Sequence, residues 1–337
     1  MSVFRFILNR LLQMVVVLLG AITILFVVLY FFVPGDAAQV SLGNHASSEA
    51  VEVLRNHLGL DRPVWEQYGL YLWRVIHLDL GTSYDLNRSV TSIIAHYLPA
   101  TAYLAGGALL LEAIFGIGWG MYLTTNRSLR LSGISTITSA ILLSVPVFFL
   151  GLLLQYFFAS RLKLLPISGL GGWNPLNLVL PALSLAAAQS VVIAAVMKSS
   201  LTEEMKKPYI LAARSRGLSR SQAMRSHAMR NALGPVVTIL GIDLGVLLGG
   251  AMITEIVFSW PGLGRMTYYA AEARDVPLML GGVIVLVIIF VVINTLIDII
   301  YGFLDPRVRL GGGLDSCSDS PFFTVGACAN PRDTAVP

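Results

Sequence analysis

The stretch Leu280–Leu304, LGGVIVLVIIFVVINTLIDIIYGFL, decides the fold of this chain. It is predominantly apolar, with Asn294 and Thr295 among its polar residues and Asp298 as its single charged residue. A helix needs about 20 predominantly apolar residues to cross a bilayer, because lipid offers no hydrogen-bond partner to a backbone N–H or C=O. The stretch therefore predicts a membrane-spanning helix.

Other stretches of the chain are comparably long and apolar. Together they predict six spans: Leu11–Val33, Thr101–Thr125, Ile134–Ser160, Leu178–Lys198, Ala232–Phe258 and Leu280–Leu304. Composition agrees, since 55% of the 337 residues are hydrophobic and only 12% are charged, against about 25% charged in an ordinary soluble domain. We expect an all-α polytopic membrane protein. The first span has a secretory signal as its alternative, although its apolar run exceeds the roughly 7–15 residues of a signal.

The distribution of Lys and Arg predicts how the spans are oriented. Of the 23 Lys and Arg residues, 15 lie at the N-terminus, in the second-to-third and fourth-to-fifth loops and in the C-terminal tail. The excess of Lys and Arg marks the cytoplasmic side of a membrane protein. We therefore expect the loop 199–231 and both termini to be cytoplasmic.

These spans divide the chain into four segments. Residues 1–33 hold the N-terminus and first span, 34–98 an extracytoplasmic insert, 99–304 the transmembrane core, and 305–337 a cytoplasmic tail that we expect to be disordered beyond 310.

The insert is predicted to hold two helices. The first begins at Ser47 or Ser48 and runs toward Gly59. The second begins at Pro63 and brings one set of side chains to one face, at Trp65, Tyr68, Leu72 and Ile76. We expect both helices to lie against the outer ends of the spans, because Trp and Tyr favour the membrane interface.

Signatures of catalysis are absent from the sequence, which has no G-x-x-x-x-G-K-[ST], H-E-x-x-H or G-x-S-x-G motif. The histidines of the insert, His45, His57, His77 and His96, are irregularly spaced, which favours solvated or capping roles over a metal site. We expect no catalytic residue, metal or bound cofactor in this chain. Nothing indicates a nucleic-acid partner.

Acidic residues in the spans are candidates for a translocation pathway. A charge is costly in lipid, so it faces a cavity, a partner or the bundle interior. Glu112 and Asp243 lie within spans, and Glu255 lies near the outer end of the fifth. We predict that they line the pathway, with interhelical hydrogen bonding as the alternative. For Asp298, near the cytoplasmic end, that alternative is at least as well supported.

Glycines recur at intervals of four along the fifth span, at Gly241, Gly245 and Gly249. Such a stripe of small residues lets another helix approach closely. The stripe is a candidate for packing against a second membrane subunit, and packing within this chain is an equal alternative.

The loop 199–231, SSLTEEMKKPYILAARSRGLSRSQAMRSHAMRN, is basic and amphipathic. Its apolar residues line one side of short helical pieces, at Leu201, Met205, Ile210, Ala213 and Leu218. Pro208 and Gly217 mark bends. Such a loop commonly only binds anionic lipid, but Ala212-Ala213 followed by Gly217 suits a groove on another protein.

The loop resembles the characteristic cytoplasmic loop, the EAA loop, of binding-protein-dependent ABC importer permeases, through Tyr209-Ile210, Ala212-Ala213-Arg214, Gly217, His227, Arg230-Asn231 and Pro235. The resemblance covers residues 1 to about 310 and includes Pro34-Gly35-Asp36, Leu58–Pro63 with Gln67-Tyr68, Asp79–Ser83, Phe258–Gly264 and Asp305–Arg309. Together these motifs are similar to the B-type permease subunits of the dipeptide, oligopeptide and nickel importer family.

The resemblance implies a type I importer permease fold in a bacterial or archaeal plasma (inner) membrane. It implies as partners a second permease subunit, homologous or identical, two cytoplasmic ATPase subunits that bind ATP and Mg²⁺, and an extracytoplasmic substrate-binding protein. A coupling helix seated on an ATPase would use Glu204, Tyr209, Ala212, Ala213, Arg214 and Gly217. The turn with Trp260, Pro261, Gly262 and Gly264 would be an outer gate or docking loop, or else an interfacial anchor.

The sequence also departs from this family. Leu211 stands where the loop usually has glutamate, Ala37 where many relatives have proline, and residues beyond Leu310 have no counterpart. Short peptides are the expected cargo, with nickel complexes or glutathione-like solutes as alternatives. Two rival classes are considered. One is an ion-coupled secondary transporter, in which Glu112 and Asp243 would carry the ion. The other is an intramembrane enzyme, for which the spans of this sequence offer no paired nucleophile and base.

Overall fold

The computed structural model describes residues 3–32, 49, 52, 62–77, 79–126 and 129–304. Within these residues the regular structure is helical, apart from one isolated bridge between Thr82 and Ser89. In chain order the helices are α1 (Val3–Phe32), α2 (Val64–Ile76), α3 (Val90–Thr125), α4 (Leu129–Ser144), α5 (Val147–Leu154), α6 (Pro175–Glu204), α7 (Pro208–Ser215), α8 (Arg220–Ala223), α9 (Met229–Gly250), α10 (Met252–Val257), α11 (Leu263–Glu272) and α12 (Val276–Leu304). Two π-helical stretches, Gln155–Arg161 and Met224–Ala228, continue α5 and α8.

The described residues contain five helices long and apolar enough to cross a membrane. These are α1, α3, α6, the continuous helix 220–249 formed by α8 and α9, and α12. The bent pair α4 and α5 makes a sixth if it is one span. The predicted all-α, six-span fold is confirmed at this level.

Two predicted spans are broken in the structure. The third, expected over Ile134–Ser160, bends by 103° between α4 and α5, because Pro146 has no N–H to donate and restricts the residue before it. The fifth, expected over Ala232–Phe258, begins earlier, at Arg220, and α9 ends at Gly250. Glu255 therefore lies on the separate helix α10.

Side-chain caps fix where several helices begin. The Ser89 hydroxyl accepts a hydrogen bond from the Ser92 N–H at 3.3 Å, and the side-chain oxygen Asn174 Oδ1 accepts one from the Leu176 N–H at 3.0 Å. Such caps satisfy N–H groups that have no partner within the helix. Because α3 begins at Val90, the last part of the predicted insert 34–98 belongs to a spanning helix.

The helices α3 and α6 pair along most of their length at the centre of the bundle. Small residues permit this approach: Gly116 of α3 lies against Ile193 of α6, and Gly120 lies against Met197. Lipid supplies no hydrophobic force between helices, so close van der Waals packing of this kind holds spans together. The helices α9 and α12 pack on the pair, whereas α1 contacts mainly α12.

The helix α2 packs on α1. The hydroxyls of Thr23 and Tyr68 are 2.7 Å apart, and Leu72 packs on a small core made by residues of α1, α2 and α12. Trp65 and Ile76 are 75% and 70% exposed, so the single face predicted for α2 is divided between packing and exposure. The other predicted insert helix, from Ser47 or Ser48 toward Gly59, and the tail 305–337 lie outside the described residues.

Candidate coupling and translocation sites

The helix α7 is a two-turn helix set between α6 and α8. It begins with Pro208, whose missing N–H has no intrahelical role at that position. It ends at Ser215 and is followed, after Arg216, by Gly217, where φ is +97°. The Gly217 N–H donates to the Arg214 carbonyl at 3.0 Å and the Leu218 N–H donates to the Ala213 carbonyl at 3.4 Å. This is a Schellman cap, in which glycine adopts the left-handed conformation without a Cβ clash.

One face of α7 is anchored in the protein. Ile210 is fully buried in a cluster with Leu201 of α6 and Met224, which follows α8. Ala213 is also buried, at 8% exposure. Met205 and Leu218 pack against the same cluster, so the apolar side predicted for this segment is confirmed.

The opposite face of α7 is free within the described chain. Leu211 is 51% exposed, and Ala212 and Arg214 are exposed beside it. Next to this face is an open groove of about 510 Å³, lined by Arg216, Gly217, Leu218, Gln222, Arg225 and Ser226. Of the predicted coupling residues, Ala212, Arg214 and Gly217 are thus on the accessible side, and Ala213 faces inward.

A hydrogen-bond network braces the base of α7. Lys207 Nζ donates to Glu204 Oε1, and Tyr209 Oη donates to Glu204 Oε2 at 2.5 Å. Asn231 Nδ2 in turn donates to Tyr209 Oη at 3.0 Å. The bond to Glu204 raises the pKa of Lys207, and burial together with the bond to Glu204 raises the pKa of Tyr209. The network joins the end of α6 to α7 and α9.

The predicted coupling residues Glu204 and Tyr209 therefore meet within this brace. Asn231 belongs to the motif that resembles the EAA loop, but its hydrogen bond to Tyr209 was not predicted. The two residues are 22 positions apart, and sequence spacing predicts no contact over that separation.

A second network builds the turn after α10. Glu255 is fully buried. Its Oε1 accepts from Thr101 Oγ1 at 2.7 Å and its Oε2 accepts from the Arg265 N–H at 2.8 Å. Thr101 Oγ1 accepts from the Leu263 N–H at 2.8 Å. Glu255 therefore organises this turn against α3. No sequence motif indicated a role for Thr101.

Trp260 fastens the same turn to α3. It is fully buried, its Nε1 donates to the Ala100 carbonyl at 2.8 Å, and its ring stacks on Tyr103. Without an exposed surface it is not an interfacial anchor, so that interpretation is wrong. The roles of outer gate or docking loop stay predictions.

The other residues predicted for this turn lie close to Glu255. A Cβ on Gly262 would lie 2.0 Å from Glu255 Oε1, and a Cβ on Gly264 would lie 2.6 Å from the Met252 Cα. Only glycine allows these approaches. Pro261 and Arg265 line a neighbouring cavity of about 280 Å³.

The motif Asp79–Ser83 ties its loop to α12. Ser83 Oγ donates to Asp275 Oδ2 at 2.5 Å, and Asp275 Oδ1 accepts from the Leu278 N–H at 3.3 Å. Both Ser83 and Asp275 are buried. The motif is visible in the sequence, but this contact was not predicted, because it joins residues 192 positions apart.

The acidic residues of the spans are separated into two environments. Glu112 of α3 is fully buried and faces Asp243 of α9, which is partly exposed. Glu255 has its own hydrogen-bond partners in the turn described above. Glu112 is therefore enclosed within this chain, and the pathway role of all three stays a prediction.

The glycine stripe of α9 faces α12 of the same chain. Positions Gly241, Gly245 and Gly249 lie against Ile297, Asn294 and Phe290, respectively. The stripe was interpreted either as packing within this chain or as packing against a second subunit, and in the structure it packs within the chain. This use fills the small-residue face, so the stripe is not a free surface for a second subunit.

A bundle of apolar spans, with a short exposed helix braced between two of them, defines a polytopic helical membrane protein. The chain belongs to the family described as binding-protein-dependent transport system inner membrane component, whose model matches residues 115–310. The family's N-terminal companion, described as binding-prot-dependent transport system membrane comp, N-term, matches residues 3–105.

Three relatives align with this chain over nearly their whole length. The chain is 34% identical to the dipeptide transport system permease protein DppB of Alkalihalophilus pseudofirmus, over 89% of this chain and 98% of the relative. It is 35% identical to the glutathione transport system permease protein GsiC of Pectobacterium atrosepticum, over 90% and 99%. It is also 35% identical to the probable D,D-dipeptide transport system permease protein DdpB of Escherichia coli, over 89% and 96%.

Among solved structures, the chain is similar to an amino acid ABC transporter crystallised with histidines. The TM-score is 0.48 at 16% identity, over 64% of this chain and 94% of that one.

Proposed function

We propose that this chain is the permease subunit of an ATP-driven importer that carries short peptides across the plasma membrane. In this proposal α7 is the coupling helix, and its exposed face docks on one of two cytoplasmic ATPase subunits that bind ATP and Mg²⁺. A second permease subunit completes the pathway, an extracytoplasmic binding protein delivers the peptide, and both termini are cytoplasmic. The observation that carries the proposal is the exposed face of α7 on a rigidly braced base.

The brace explains how such a helix transmits work. Movement of solute against its gradient requires a source of free energy, and the sequence holds no phosphate-binding motif. A helix tied to α6 through Glu204 and to α9 through Asn231 passes a push on its outer face to two spans at once. Small displacements of packed helices change which side of a pathway is open.

The names of the relatives support the substrate class. Dipeptides, D,D-dipeptides and glutathione share amide-linked backbones with charged ends. We therefore propose short peptides as cargo and keep glutathione as a second candidate, since a glutathione permease is as similar to this chain as the dipeptide permeases are.

The experiment uses the complex isolated through a tag on this chain from cells that express its co-encoded subunits. Arg214→Glu reverses a charge on the exposed face of α7, and Arg74→Glu is the matched control, since both arginines are exposed in the last turn of a short helix. We expect Arg214→Glu to lower dipeptide uptake at least tenfold and to reduce recovery of the ATPase. Equal uptake in both variants would contradict the proposal.

A second measurement separates the energy sources. Uptake of labelled dipeptide and of labelled glutathione is compared in cells with a collapsed proton gradient and maintained ATP, and in cells depleted of ATP. We expect import to persist in the first and to stop in the second. Import that stops when the gradient alone is collapsed would support an ion-coupled carrier instead, and the labelled solute that enters identifies the cargo.

A further inference from the structure

Two carboxyl groups meet inside the helix bundle without any donor. Glu112 lies in the middle third of α3, has no exposed surface, and both of its carboxyl oxygens are buried without a hydrogen-bond partner. Asp243 of α9 is its neighbouring carboxyl group, and Asp243 Oδ2 is likewise buried without a partner. Ionised carboxylates only accept hydrogen bonds, so two of them cannot bond to each other.

Among the residues that the structure describes, no basic side chain lies on the segments next to this pair. The contacts of Gly107 with Leu178 and of Gly116 with Ile193 place Glu112 opposite residues 178–193 of α6, which include no charged or titratable side chain. The same holds for residues 290–297 of α12, which lie along the glycine stripe of α9.

Two other elements contact α3 away from Glu112: α4, where Trp119 Nε1 donates to Ser135 Oγ at 3.2 Å, and α11. The helix α11 contacts α3 at Thr101, far from Glu112, and its Arg265 side chain donates to the Ser259 carbonyl at 2.7 Å. Residues 101–125 of α3 and 232–250 of α9 contain no other charged or titratable group than Tyr103 and Tyr122 of α3, with Glu112 and Asp243 themselves. Tyr103 instead packs on Trp173 and Trp260, and Tyr122 on Trp119.

We propose that Glu112 and Asp243 form a proton-binding site in which one shared proton makes an acid–carboxylate hydrogen bond between α3 and α9. The enclosed Glu112 is the acid that donates, and the partly exposed Asp243 is the carboxylate that accepts. A single proton thereby removes one of two buried like charges and supplies the missing donor.

The site acts as a clamp on the bundle. While the proton is bound, the hydrogen bond holds α3 to α9 in the conformation described here. When the proton leaves as pH rises, two negative charges face each other in a medium of low dielectric constant and repel. The clamp is independent of the cargo and of the docking of α7, so its failure and that of the proposed function are distinguishable.

Infrared spectroscopy of the full chain in lipid nanodiscs tests the site, because a protonated carboxyl has a C=O stretching band that a carboxylate lacks. The variants are Glu112→Gln and Asp243→Asn, with Glu66→Gln of the exposed surface of α2 as the control. At neutral pH we expect one band in the wild type and in Glu66→Gln that is absent from Glu112→Gln. In Asp243→Asn the band should remain but move, because the acid then donates to an amide oxygen.

Thermal unfolding over a pH series gives a second reading. We expect the wild type to lose stability toward alkaline pH and Glu112→Gln to lose that dependence, since its amide donates to Asp243 at every pH.

A Glu112→Gln infrared spectrum identical to that of the wild type would overturn the proposal. If Glu112→Gln does not fold, an unmoved band in Asp243→Asn overturns it. A band seen in choline buffer but lost in sodium buffer would show a metal cation at the site and would also overturn it.

Discussion

Tyr209 connects three helices through one hydroxyl, which donates to Glu204 and accepts from Asn231. A hydrogen bond to a charged acceptor is worth about 1.5–3 kcal/mol, and the 37% exposure of Tyr209 reduces this toward about 1 kcal/mol. We therefore expect Tyr209→Phe to lower the thermal unfolding midpoint by about 1–2 °C, because the shift produced by about 1 kcal/mol becomes smaller as the chain becomes longer.

The control for Tyr209 is Tyr156→Phe, whose hydroxyl only accepts a bond from Arg161 at an exposed site. Both variants are measured by thermal unfolding in the same detergent. We expect almost no shift for Tyr156→Phe. A shift as large as that of Tyr209→Phe would show that the brace at the base of α7 adds no stability.

Gly262 shows how tightly the turn after α10 is built. A Cβ at this position would overlap Glu255 Oε1 at 2.0 Å, so Gly262→Ala forces the buried carboxylate away from its donors. We expect this variant to lose about 1–3 kcal/mol of stability. Gly118→Ala on α3, where no atom lies within 4 Å of the added carbon, should be neutral or slightly stabilising. The same thermal assay compares them, and equal stability of the two variants would contradict the packing described for this turn.

The helix α7 depends on the left-handed glycine that ends it. Gly217 has open space around its Cβ position, so substitutions there act through φ alone. Asparagine tolerates this conformation better than alanine, and a β-branched residue tolerates it least. We expect dipeptide uptake to be highest in Gly217→Asn, lower in Gly217→Ala and lowest in Gly217→Val.

Gly234→Ala is the control for that series, since Gly234 lies in α9 with ordinary φ and open space around it. Uptake that follows side-chain size instead of tolerance for positive φ would contradict the role given to this cap.

At the scale of the helices, the sequence predicted which segments form membrane spans better than it predicted where those spans are broken. Long apolar runs gave the spans because lipid forces backbone groups to bond within a helix. The break at Pro146 had a visible cause in the missing donor, whereas the break between Gly250 and Met252 did not. Glu255, just beyond this second break, accepts a hydrogen bond from Thr101, 154 residues away, and local sequence contains no record of such a contact.

The candidate sites show the same division. The apolar face of α7 and its cap followed from helical spacing and from Gly217. Which predicted residues face outward, and which carboxyls meet, depended on how α3, α6 and α9 pack. Glu112 and Asp243 were both noticed as costly charges, but their mutual contact requires the bundle.

For the molecule as a whole, the prediction concerns which side of the membrane each end of the bundle occupies. In a background of Cys317→Ser and Cys328→Ser, single cysteines are placed at Ser215 on α7 and at Glu66 on α2, both exposed. We expect a membrane-impermeant maleimide to label position 66 in intact spheroplasts and position 215 in inside-out vesicles. Labelling of both positions from the same side would contradict the proposed orientation.

The most direct measurement places a photocrosslinking amino acid at position 211, on the exposed face of α7, and at position 210 as its buried control. Irradiation of the intact complex is followed by mass spectrometry of the products. We predict that position 211 crosslinks to a nucleotide-binding subunit and that position 210 crosslinks only within this chain. A crosslink from position 211 solely to an extracytoplasmic protein, or to lipid while the ATPase remains bound, would contradict the role of α7 as the coupling helix.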